Sequence, residues 1–187
     1  MESNNFNIIC YTGGACGDLL TALIDSSDAQ FQQSTILHSG ERTKLKKPFL
    51  FADDFEKDTY ISIISEKYQS VPSHDIEYHI NRNHEFIGIT VDNRHVALWA
   101  ANRFKSLHRP HVWDEMSRAC GAQNVDDYAQ ILIDYSTLVR SHTKKIVALE
   151  DIVHGDAIAR LANLDIDASN NVEFYKQWLY LQETTPV

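Results

Sequence analysis

Three of the chain's seven glycines fall within positions 13–17, in the segment Thr12-Gly13-Gly14-Ala15-Cys16-Gly17. Glycine is costly in an ordered element unless the backbone needs positive φ or a close approach. A short apolar, β-forming run (residues 6–11, FNIICY) precedes the segment. A helical pattern follows it over residues 18–24, with Leu19, Leu20, Ala22, Leu23 and Ile24 apolar. A glycine turn between a buried strand and a helix can gather backbone N–H groups around an anion, and the helix dipole favours negative charge there. Thr12, Gly13, Gly14, Ala15, Cys16 and Gly17 are therefore candidate contacts for a phosphate- or sulfate-bearing ligand. The same residues also suit a tight strand-to-helix turn that holds no ligand, with Asp18 at the helix start.

Other residues offer chemistry at single points. Cys16 stands at the start of a predicted helix, where thiols become nucleophilic; the alternative is a small residue packed in a tight loop. Arg94 opens a predicted helix over 94–104, free either to salt-bridge on the surface or to contact an anion. Two further groups of cations are Arg42, Lys44, Lys46 and Lys47, and Arg103, Lys105 and Arg109. The first reads as a solvated loop or edge strand and the second as a helix C-terminal cap. The sequence has no CxxC pair, and Pro110 disrupts the helical face that His108 and His111 would need, so no metal site is expected.

These residues need a scaffold, and the chain alternates strand and helix patterns. Strands are expected over 6–11, 48–51, 69–73, 86–91 and 145–149. Helices are expected over 18–24, 54–68, 94–104, Val125–His142, 156–164 and 172–181. Such alternation predicts an α/β fold, a three-layer α/β/α arrangement around a central parallel sheet of about five strands. Ligands of these folds bind at the C-terminal ends of the strands. The 12–17 segment is the first such place. With 187 residues and no Ser/Gly-rich linker, residues 1–187 read as one domain.

Composition limits the partners. Lys and Arg number 17 against 26 Asp and Glu, a formal charge of −9, which argues against nucleic-acid binding and anionic membranes. No apolar stretch is long enough to span a bilayer, and no basic leader precedes an apolar run at the start. Three cysteines, Cys10, Cys16 and Cys120, suit a reducing compartment, and the expected location is cytoplasmic.

Several ordered segments together resemble the P-loop sulfotransferase family. Residues 8–20 look like that family's strand–loop–helix, which receives the 5′-phosphosulfate end of the donor PAPS. Ser73-His74-Asp75 is similar to its Lys-Thr-His segment, and the resemblance implies that His74 is the catalytic base. Residues 87–99 are similar to the strand and helix that carry its 3′-phosphate motif, with Asp92 and Arg94 at matching positions. Ile146-Val147-Ala148-Leu149-Glu150-Asp151-Ile152 looks like its late strand ending in Tyr-Glu-Asp-Leu. The resemblance implies a P-loop NTPase/sulfotransferase-like fold, with PAPS held by Thr12 to Gly17 and by Arg94. It further implies sulfuryl transfer to a hydroxyl or amine acceptor. The alternatives are a non-catalytic nucleotide- or partner-binding descendant of the fold, and a small-molecule or nucleotide kinase on the same scaffold.

Overall fold

The computed structural model describes residues 7–25, 30–33, 44–48, 59–64, 68–72, 85–107 and 110–184. Its elements are β1 (Asn7–Tyr11), α1 (Gly17–Asp25), β2 (Gln30–Gln33), β3 (Lys44–Pro48), β4 (Thr59–Ile64), β5 (Tyr68–Pro72) and β6 (Glu85–Thr90). They continue with α2 (Arg94–Leu107), α3 (Pro110–Cys120), α4 (Val125–His142), β7 (Ile146–Ala148), α5 (Leu149–Val153), α6 (Ala157–Ala162), a 3₁₀ turn (Ser169–Asn171) and α7 (Val172–Thr184). The architecture is mixed α/β.

Four strands form a parallel sheet in the order β5-β1-β6-β7. In β1, Ile8 stands opposite Gln69 on one side and Phe86 on the other. Alternate residues of a strand face opposite ways. Ile8, Cys10 and Phe86 accordingly pack with Val139 of α4. Ile9, Tyr11, Ile87 and Ile89 join Leu19, Leu20 and Leu23 of α1 in the larger core. Burying strands on both faces explains why they read as continuous apolar runs.

Among the described residues the parallel sheet has four strands, where about five are expected, and the middle of the chain departs from expectation. Residues 54–68 were expected as a helix; instead Thr59–Ile64 is the central strand of an antiparallel sheet ordered β2-β4-β3. The run Tyr60-Ile61-Ser62-Ile63-Ile64 is β-branched and aromatic, and strand pairing on both sides outweighs its helical spacing. Of the strand expected over 48–51 only Pro48 is described, at the end of β3 (Lys44–Pro48), and residues 49–58 fall outside the described residues. This places Lys44, Lys46 and Lys47 on an edge strand, as lysines often are. Helix α3 begins at Pro110, a residue suited to the first helical turn, where its missing N–H costs nothing.

The order of the parallel strands contains a switch point. From β1 the chain moves to β5 on one side, then crosses to β6 on the other and continues outward to β7. The direction therefore reverses beside β1, and such switch points open a crevice at the strands' C-terminal ends. The β1–α1 loop and the β6–α2 turn follow the C-terminal ends of the two strands there.

Candidate functional site

The β1–α1 loop is a turn closed on itself. The Ala15 N–H donates to the Thr12 carbonyl at 2.9 Å, and Gly14, the third residue of that turn, has φ +94°. That is the φ a type II turn requires at this position, which favours glycine. Cys16 follows with φ +59°, an uncommon conformation for a side-chain-bearing residue, and its carbonyl accepts the Leu20 N–H, the first bond of α1. Gly14 and Cys16 thus carry positive φ while Ala15 between them does not. Alternation of this kind bends successive N–H groups into a concavity suited to an anion.

Packing also needs the glycines. A Cβ on Gly14 would lie 2.7 Å from the Ala100 carbonyl oxygen of α2, and one on Gly13 would lie 2.8 Å from the Tyr128 hydroxyl of α4. The Tyr128 hydroxyl donates to the Gly13 carbonyl at 3.2 Å. The Phe104 ring stacks on the Tyr128 ring, with centroids 5.4 Å apart. Helices α2 and α4 therefore clamp one side of the loop. Thr12, Ala15, Cys16 and Gly17 are buried, and Gly13 and Gly14 are half-buried.

Arg103 brings positive charge to this loop. Its side chain is buried, 8% exposed, and its Nη1 donates to the Cys16 Sγ at 3.7 Å. Its Nε donates to the Gln182 Oε1 at 2.9 Å. Its guanidinium carbon lies 5.4 Å from the Trp99 ring centre and 5.7 Å from that of Trp178, within cation–π range. One side chain thereby joins the loop, α2 and α7.

Arg94 points elsewhere. Its Nη2 donates to the Asp126 carbonyl and carboxylate, both at 3.1 Å, and its Nη1 to Gln130 at 3.4 Å. It is held on the start of α4, an exposed ion pair. On the same β6–α2 turn, the Glu150 Oε1 accepts the Asp92 and Asn93 N–H groups at 2.9 and 2.6 Å. Asp92 in turn is forked by Arg140, which also donates to the Thr90 hydroxyl at 2.9 Å.

The structure thus brings Thr12 to Gly17 together with Arg103. It holds the Arg94 guanidinium on α4, and His74 lies outside the described residues. The sequence reads Arg103 as part of a helix C-terminal cap. Helix α2 instead runs on to Leu107, which makes Arg103 an interior residue. The available signal was its spacing: Trp99 lies four residues before it, and such pairs share a helix face. Among the described residues, no three His, Cys, Asp or Glu residues come together as a metal site, and no helix is long and apolar enough to cross a membrane.

Comparison with known proteins adds no assignment: no family model, curated protein or solved structure matches the chain.

Proposed function

We propose that this chain binds a nucleotide, with Thr12 to Gly17 and Arg103 receiving its terminal anionic group. The carrying observation is the Arg103 guanidinium buried against Cys16 in the loop that follows β1, where the strand order reverses. A buried guanidinium meets phosphate or sulfate with charge-assisted hydrogen bonds, the stronger kind. The loop's alternating φ adds amide donors on the same corner.

A second reading is sulfuryl transfer from PAPS to a hydroxyl or amine acceptor, on a P-loop NTPase/sulfotransferase-like fold with His74 as base. The order of the resembling segments along the chain favours it. The residues fit one end of PAPS and not the other. The loop and Arg103 suit the phosphosulfate end. At the β6–α2 turn, the Glu150 carboxylate stands on the amides of Asp92 and Asn93, and Arg94 is bonded to α4. A 3′-phosphate there would meet negative charge.

A thermal-shift panel of adenosine 5′-monophosphate, adenosine 3′,5′-bisphosphate, PAPS, ATP and GTP tests the proposal. A ligand that binds the native state raises Tm by mass action. At millimolar ligand at least one nucleotide raises Tm in the wild type, and Arg103→Met removes the shift. No shift with any nucleotide contradicts nucleotide binding. Sulfate transfer from PAPS to an acceptor would establish the second reading.

A further inference from the structure

The Glu150 carboxylate is half-satisfied. Its Oε1 accepts two backbone N–H groups, while its Oε2 is buried with no hydrogen-bond partner. Buried polar atoms are almost always bonded, so such an oxygen calls for a donor. An ionised carboxylate accepts and cannot donate. Glu150 is the second residue after β7, and its carboxylate stands against the turn after β6, on the C-terminal side of the parallel sheet.

Neighbouring strands lie about 4.8 Å apart, so β7 is roughly 10 Å from β1 across β6. A ligand with its anionic end at the β1–α1 loop that extends across β6 reaches Glu150 within the length of a nucleotide. What it meets there is an acceptor with negative charge. The two arginines at this turn are engaged, Arg94 with Asp126 and Gln130, and Arg140 with Asp92 and Thr90.

Resting on the reading that the loop receives an anionic end, we infer that Glu150 selects a nucleotide whose sugar keeps a free hydroxyl and rejects one with a second phosphate on the sugar. The hydroxyl supplies the donor that Oε2 lacks. A phosphate in its place sets like charge against like, which penalises the wrong ligand.

Calorimetric titrations with adenosine 5′-monophosphate, adenosine 3′,5′-bisphosphate and inorganic phosphate test this in the wild type and in Glu150→Gln. The glutamine carbonyl keeps the bonds to Asp92 and Asn93, while its amide replaces the Oε2 acceptor with a donor and removes the charge. The wild type binds the monophosphate about tenfold or more tightly than the bisphosphate, and Glu150→Gln brings the ratio to about one or inverts it. A second measurement needs no variant: of the 2′-deoxy and 3′-deoxy forms of the monophosphate, at least one binds the wild type about tenfold more weakly than the parent. A bisphosphate that binds as tightly as the monophosphate, or two deoxy forms that bind like the parent, overturns the inference. So does an unchanged ratio in Glu150→Gln. Nucleotides that bind no better than inorganic phosphate overturn it while leaving the loop's anion binding standing. Absence of binding by all three ligands overturns both.

Discussion

The Nη1 of Arg103 lies 3.7 Å from the sulfur of Cys16, joining an interior residue of α2 to the residue just before α1. The contact sets a buried cation beside the first turn of a helix, where backbone N–H groups have no partner within the helix. It also ties the loop to α7, through Gln182 and the Trp178 ring.

Arg103→Lys keeps the charge and loses the planar fork and the stacking between two indoles. The two side chains are not equivalent at such a site. Arg103→Lys is expected to weaken nucleotide binding by about tenfold, and Arg103→Met to abolish it at millimolar ligand. Calorimetry on both variants, with Tm measured alongside, separates loss of binding from loss of fold.

Arg94 provides the contrast. Its ion pair with Asp126 is exposed, at 40% and 74% of the side chains, and such pairs contribute about 0–1 kcal/mol. Arg94→Ala is expected to leave nucleotide affinity within about twofold of the wild type and to shift Tm only slightly. A large loss of affinity in this variant would show that Arg94 leaves Asp126 to meet the ligand.

Gly14→Ala tests the loop's backbone. Alanine at φ +94° is strained, and its Cβ would sit 2.7 Å from the Ala100 carbonyl oxygen. The combined effect is expected to destabilise the fold by about 2 kcal/mol or more, read as a lower denaturation midpoint. Tyr128→Phe should cost about 1 kcal/mol, through loss of the hydroxyl's bond to the Gly13 carbonyl. A Gly14→Ala variant as stable as the wild type would refute the observed turn.

Alkaline pH should weaken the fold in a defined window. Burial pushes the Tyr175 hydroxyl up to about 12 and also raises that of Tyr128. Tyrosine in an unfolded chain titrates near pH 10, so the native state keeps protons that the unfolded state loses. The stability these groups contribute is whole below about pH 10 and falls as pH rises through about 12. Urea midpoints measured from pH 9 to pH 12 should therefore fall, and fall less steeply in Tyr175→Phe. Parallel curves for the variant and the wild type would contradict the assignment to Tyr175.

Some of this structure was legible in the residues and some was not. The runs that became β1 and β6 declared themselves because strands buried on both faces are apolar throughout. The Val125–His142 helix did so through its periodicity, and its Asn124 cap accepts the Asp127 N–H as such residues do. Residues 59–64 misled because a short apolar run fits either period, and the partners in β2 and β3 that decide it are distant in sequence. The glycine cluster falls in the β1–α1 loop, where packing asks for glycine independently of any ligand. Gly13 and Gly14 are needed as much by Phe104, Tyr128 and Ala100 as by any ligand. Arg103 was hidden because its meeting with Cys16 spans 87 residues, and no local pattern encodes such a contact.

Titration of ¹⁵N-labelled protein with adenosine 5′-monophosphate shows whether the 12–17 loop and Arg103 receive an anion. Saturable shifts are expected of the Gly13, Gly14, Cys16 and Gly17 backbone amides together with the Arg103 side-chain Nε–H. Amides of this loop that stay unmoved at millimolar nucleotide, or shifts confined to other elements, would contradict anion binding there.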